Sequence, residues 1–143
     1  MTSMVAPPGQ ASSWRERCPD CGETVEVSAS QDFFLDEVHW HVQRQCTSCE
    51  FLTVACGVGE TPDELRRLIL AEHGPAVLTI TGEPLGSLRT MKAVRDVLGV
   101  PFSEVRRSAE RLRSDGVVGT LAEMERLGSR LEDAGLEIAV ATG

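Results

Sequence analysis

The chain has 143 residues, a formal net charge of −8, 41% apolar residues, only 4% aromatic residues and no tyrosine. There is room for one ordinary domain or two very small ones, with Leu, Val and Ala filling the core. The acidic balance argues against non-specific coating of nucleic acid, and no apolar run reaches membrane-spanning length.

The first stretch, residues 1–13, is small, polar and proline-bearing, and reads as a disordered leader. It has no basic-then-apolar secretory pattern, so the expected location is cytoplasmic. There, five cysteines serve as metal ligands or free thiols rather than disulfides. Cys18-Pro-Asp-Cys21-Gly22 then makes a compact knuckle. Thr24 to Ser28 and Val38 to Val42 alternate as strands, the second putting Val38, Trp40 and Val42 on one face and His39 and His41 on the other. Cys46-Thr-Ser-Cys49 is a second knuckle, followed by a third strand from Phe51 to Cys56. Thr61-Pro-Asp-Glu64 has the form of a capping box with proline in the first turn. It predicts a helix running through Leu65, Leu68 and Leu70 to His73, stopped by Gly74-Pro75.

Cys18, Cys21, Cys46 and Cys49 therefore form C-x2-C-x24-C-x2-C. Two such pairs complete the tetrahedral thiolate cage that zinc prefers. Strands around two knuckles make a small β zinc ribbon over residues 14–60. A lobe this small folds at the expense of metal-binding free energy. Four thiolates close the coordination sphere and leave no place for a catalytic water. A thiol redox switch is the alternative, with Cys56 as a fifth thiol close in sequence. The plainer reading of Cys56 is a small buried strand residue; His39 and His41 could serve as metal ligands or nucleic-acid contacts, and their plainer reading is solvent-facing strand histidines.

Beyond a connecting helix over 61–75, Val77 to Ile80 reads as a strand, and 82–86 as a loop. Two short helices follow, broken at Gly99 and Pro101. Ser87 is a natural N-cap for the first, and Leu88, Met91, Val94 or Ala93, and Leu98 recur at helical spacing as a buried stripe. Arg89, Lys92 and Arg95 share an exposed side. In the second helix Val105, Ala109 and Leu112 point inward, while Arg106, Arg107, Arg111 and Arg113 face water. From 87 to 113 seven Arg or Lys oppose three acids, a local balance of +4 inside an acidic chain. Val117-Val118 can pair as a strand. Thr120-Leu-Ala-Glu123 is a capping box for a helix burying Leu121, Met124, Leu127 or Gly128, and Leu131. Gly135 ends that helix, and 136–140 returns as a strand.

Met91-Lys-Ala-Val-Arg95, Gly99, Glu104-Val-Arg106, Leu131-Glu-Asp-Ala-Gly135 and Glu137-Ile-Ala-Val140 together resemble the C-terminal domain of the bacterial ribosomal stalk protein. The resemblance covers residues 76–141, departing from the family at Ser87, Pro101 and Arg106. It implies an α+β fold of order β-α-α-β-α-β, here filling 76–143 after the ribbon. It also implies that the two basic helices contact translational GTPases, with Met91, Lys92, Arg95 and Arg106 in the contact positions; Arg89 joins them on the exposed side of its helix.

The chain holds no G-x-S-x-G, H-E-x-x-H or phosphate-cradling Gly-Lys-Ser/Thr motif, nor the H-x-E upstream of Cys18 that a nucleobase deaminase requires. The expectation is a non-enzymatic zinc-binding adaptor. Its basic helix pair would bind a protein with an acidic face, such as an elongation factor or another ribosome-associated factor. The alternative is a zinc-ribbon nucleic-acid-binding or transcription-linked regulator. It is disfavoured because Arg15, Arg17 and Arg44 are outnumbered by carboxylates in the ribbon. A degron-recognising protease adaptor, similar in fold to the stalk domain, ranks last.

Overall fold

The computed structural model describes residues 9–82 and 87–142. The expected leader before residue 9 and the expected loop over 83–86 lie outside them. The fold is α+β, with two antiparallel sheets and, among the described residues, four α-helices. The chain divides into two compact units between His73 and Gly74.

The first unit is an antiparallel sheet of β1 (Gln10–Arg17), β2 (Thr24–Phe34), β3 (Glu37–Cys46) and β4 (Leu52–Val58), paired in chain order, followed by helix α1 (Asp63–His73). Four strands stand where three are expected, and β1 takes in Gln10 to Ser13, which composition assigns to the leader. Little in Gln-Ala-Ser-Ser favours a strand locally. Pairing with β2, from Gln10 opposite Gln31 to Arg17 opposite Thr24, supplies the order. Alternate residues of β2 and β3, among them Val25, Val27, Ala29 and Val42, pack against Leu65 and Ile69 of α1, with Trp14 and Trp40 at the margin. The buried stripe of α1 is thus Leu65 and Ile69, four apart, whereas Leu68 and Leu70 are only half-buried. The Thr61 hydroxyl accepts a hydrogen bond from buried Gln31 Nε2 at 2.8 Å, tying the start of α1 to β2. At the margin Glu16 accepts from Trp14 Nε1 at 2.8 Å and from Arg44 Nε at 3.0 Å. Those two donors, the indole first, hold its carboxyl below the ordinary value.

The second unit runs β5 (Ala76–Thr81), α2 (Leu88–Leu98), a 3-10 turn (Phe102–Glu104), α3 (Val105–Arg113), β6 (Val117–Gly119), α4 (Leu121–Asp133) and β7 (Glu137–Thr142). Central β5 pairs antiparallel with β6 and β7. Its alternate residues Ala76, Leu78 and Ile80 meet Val94, Leu112 and Leu131, one from each helix. Val105, Ala109 and Leu112 are buried as their spacing predicts. Thr120 and Glu123 form both halves of the capping box of α4, with Glu123 N–H donating to Thr120 Oγ1 at 3.2 Å and Thr120 N–H donating to Glu123 Oε1 at 3.0 Å.

Helix α2 departs from expectation at its first turn. Its buried residues are Thr90, Ala93 and Val94, and Leu88 is 85% exposed. Of the expected stripe Leu88, Met91, Val94 or Ala93, and Leu98, both Val94 and Ala93 are buried and Leu98 packs partly buried against the same core, and the departure lies at Leu88. The packing selects small side chains, which let α2 approach its neighbours closely. Ser87 occupies the N-cap position with extended backbone but makes no side-chain cap.

Candidate functional site

The two knuckles arise from the hairpin pattern. Cys18 follows β1 and Cys21 lies in the turn to β2; Cys46 ends β3 and Cys49 lies in the turn to β4. Both turns therefore sit at one end of the sheet, and Val25 of β2 is the register partner of Cys46. Each knuckle is closed by its own backbone. Cys18 N–H donates to Glu23 O at 2.7 Å, Gly22 N–H to Cys18 O at 3.0 Å, and Cys46 N–H to Phe51 O at 2.9 Å. Gly22 takes φ 81°, a left-handed turn conformation that suits glycine. Thr47 N–H donates to Thr24 O at 3.2 Å and links the second knuckle to the first hairpin.

All four sulfurs lie within 4.8 Å of one another. Two close pairs cross between knuckles, Cys21 Sγ to Cys46 Sγ at 3.5 Å and Cys18 Sγ to Cys49 Sγ at 3.7 Å. A tetrahedral ion bonded at about 2.3 Å to each sulfur has corners about 3.8 Å apart, so the donor set fits a metal ion. Cys18 and Cys46 are buried, Cys49 is half-buried and Cys21 is exposed. Four sulfur ligands would complete a tetrahedral coordination sphere.

Electrostatics point the same way. Ser48 N–H, 3.3 Å from Cys46 Sγ, and the neighbouring thiols draw the Cys46 thiol down to about 7. The backbone N–H of Phe51 favours the Cys49 thiolate, but burial and the three sulfurs around it prevail and push that thiol up to about 12. At Cys21 the amide of Glu23 likewise favours the thiolate, and desolvation with the Cys46 and Cys18 sulfurs raises the thiol above its usual range. Four crowded thiols ionise together only when a cation supplies the compensating charge.

No protein-family model, curated protein or solved structure matches the chain.

The fifth thiol, Cys56, stands apart from the cage. It is exposed rather than buried, because β4 is an edge strand and Cys56 points to the face away from α1. Its register partner is His41, five residues along β3 from Cys46 and so about 17 Å away along the strand. It is no resolving thiol for the four-cysteine cluster. His39 and His41 are half-buried on the same face, with His39 Nε2 donating to Phe34 O at 3.0 Å.

The second surface lies in the other unit. Leu88, Met91, Lys92 and Arg95 occupy positions i, i+3, i+4 and i+7 of α2, and with Phe102 and Val105 they line one cavity of about 290 Å³. Leu88 and Phe102 are 85% and 77% exposed, and because they line the same cavity they form an apolar patch rather than single exposed side chains. Of the five candidate partner-binding residues, Met91, Lys92 and Arg95 line this cavity; Arg89 and Arg106 are exposed on α2 and α3 but do not line it. Arg95 Nε lies 3.7 Å from Asp96 Oδ1, an exposed pair of little energetic weight. Sequence reasoning missed Phe102, and it assigned Leu88 to the core. Pro101 was the available signal for a break there, since it keeps the preceding residue from continuing α2, and Phe102 opens the 3-10 turn that follows it.

Proposed function

We propose that this protein is a non-enzymatic, zinc-binding adaptor whose basic helix pair docks on a protein partner with an acidic face. A translational GTPase or ribosome-associated factor is the partner class that the stalk-domain resemblance implies. The single observation that carries the reading is the cavity between α2 and the turn before α3, where Leu88, Met91, Phe102 and Val105 meet Lys92 and Arg95. An apolar pocket with cations beside it combines the two parts of a specific interface. The apolar part supplies affinity through burial, and the cations steer the encounter and select partners of opposite charge. The local +4 balance of 87–113 within a chain of −8 concentrates that attraction on one surface. The element order β5-α2-α3-β6-α4-β7 agrees with the order the resemblance implies.

For the first unit we read the four thiols as a structural zinc ribbon. Zinc is the ion that four-thiolate tetrahedra take most readily among non-redox cations. The ion supplies cross-linking and charge neutralisation, and the chain's own turns present Cys18, Cys21, Cys46 and Cys49 to it.

The test is a titration of purified elongation factors with wild type, a Lys92→Glu/Arg95→Glu variant and a Leu88→Ser/Phe102→Ser variant. All four positions are exposed, so the fold of the unit is expected to survive both changes. Each variant should weaken binding by about tenfold or more, and only the charge variant should flatten the salt dependence. Equal binding by all three proteins rejects the docking surface.

A further inference from the structure

Five of the eight large apolar side chains exposed among the described residues gather at one margin of the first unit: Phe34, Leu35, Leu52, Val54 and Val58. Leu52, Val54 and Val58 alternate along β4, so with exposed Cys56 they form a row on the face turned away from α1. Phe34 continues the row, its ring edge-on to that of His39, the register partner of Val58. β4 is also an edge strand, with the backbone groups of its outer side left without a strand partner. The two edges of this sheet differ. β1 carries Arg15, Glu16 and Arg17, and its Ala11 carbonyl accepts a hydrogen bond from His73 Nε2 at 2.6 Å. β4 has no such guard. Its residues Leu-Thr-Val-Ala-Cys-Gly-Val include no charge and no proline, and they pair with β3 without a bulge.

We propose that β4 is the contact through which two copies of this chain pair, antiparallel and about a two-fold axis at Ala55. Centred there, the seven residues overlap completely. Leu52 of one copy stands opposite Val58 of the other, Val54 opposite Cys56, Thr53 opposite Gly57, and Ala55 opposite its equivalent. Every apolar side chain of the row meets another on the same face, and the ladder satisfies the open backbone groups. Moving the axis to Val54 sets Val58 against Glu50, and moving it to Cys56 sets Leu52 against Glu60. The row is thus its own complement in one register, which selects a second copy as the occupant. The joined sheet has β1 at both outer edges, so assembly closes at two copies. Just beyond the strand, Glu50 of each copy approaches Glu60 of the other, a repulsion that salt screens. The dimer therefore strengthens with ionic strength, opposite to a contact made by the basic helix pair. Seven strand residues a side fall short of the about 20–30 of a standard interface, so the association is reversible.

The experiment is sedimentation velocity on the full zinc-loaded chain across the micromolar to millimolar range, at low and high salt. Wild type should pass from monomer to dimer as concentration rises, and more readily at high salt. Val54→Lys and Leu52→Lys, each bringing a charge to the edge, should raise the dissociation constant by at least about tenfold. Residue 54 of one copy lies diagonal to residue 54 of the other, about 7–8 Å away and within reach of long side chains. An equimolar mixture of Val54→Lys and Val54→Glu should therefore associate at low salt more tightly than either variant alone. Both positions are more than half exposed, so the variants should keep their zinc; if one does not, the other decides. Leu88→Ser/Phe102→Ser, in the other unit, should dimerise as wild type does. A wild type that stays monomeric throughout overturns the proposal, whether or not β4 takes up a strand from another protein. So does a dimer that the lysine variants leave intact, one that weakens with salt, or growth beyond two copies.

Discussion

Cys18 and Cys49, thirty-one residues apart, hold their sulfurs 3.7 Å from each other across two separate hairpin turns. Neither turn makes the site alone; the β2–β3 pairing brings them together. Binding an ion there therefore fastens the ends of all four strands at once.

Metal removal should act on one unit only. The first unit has a core of few large apolar side chains, and without the ion its crowded thiols lose their cross-link. Chelation, or Cys46→Ser, should abolish cooperative melting of this unit, since structural zinc contributes about 10 kcal/mol or more to such folds. The second unit, which holds none of the four cysteines, should melt unchanged. Unfolding followed by circular dichroism and calorimetry reads both. A metal-free protein with an unaltered melting profile would contradict the expectation.

Metal uptake should expel protons, and the direction follows from the thiols. Cys46, lowered to about 7, is the first to ionise, while Cys49, raised to about 12, keeps its proton until the ion arrives. More than one proton must leave around pH 7, so affinity should climb more than about tenfold per pH unit there. The depressed Cys46 thiol adds stability that is present above the ordinary thiol value of 9.0 and lost as pH falls through about 7. Cys49 has the opposite sign, its contribution being full below 9.0 and lost as pH rises toward about 12. Calorimetric zinc titrations in buffers of different ionisation enthalpy count the protons. A release of one or fewer would be inconsistent with this arrangement.

Gly57 is placed under an indole ring. It is the register partner of Trp40, and a Cβ on it would fall 2.6 Å from the ring. Gly57→Val should displace Trp40, shift the tryptophan emission and destabilise the first unit by about 1–3 kcal/mol, the usual cost of overpacking. Unchanged emission together with unchanged stability would show that the ring has room to move.

Gly128 plays the corresponding part in α4. A Cβ there meets Ile138 Cδ1 at 2.9 Å and Leu78 Cδ1 at 3.1 Å, both ends of flexible side chains. For Gly128→Ala a helix-propensity gain of about 1 kcal/mol offsets the crowding, so a change near zero is expected. For Gly128→Val the extra methyls have no such compensation, and a loss of about 1–3 kcal/mol follows. Denaturant melts of the two variants should differ in this order, and a reversed order would refute the packing argument.

Local chemistry carried much of what could be read from the chain alone. C-x2-C spacing puts two sulfurs on one turn in whatever fold contains it, and Thr120 with Glu123 reach each other within a single helical turn. The inward set Val105, Ala109 and Leu112 was equally legible, because arginines flank it and leave only one apolar side. Where a segment had two apolar sides, sequence periodicity could not choose between them. Helix α2 has large residues on one flank and small ones on the other, and close packing against α3 and α4 buried Thr90, Ala93 and Val94 while leaving Leu88 and Met91 beside Lys92 and Arg95. Strand β1 lacked a signal of its own, since its order comes from β2. The meeting of His41 with Cys56 likewise depends on register between two strands, a long-range property in which a slip of one residue would turn every side chain to the opposite face. Residue spacing along the chain decided which groups could act, and the packing of distant segments decided which of them meet.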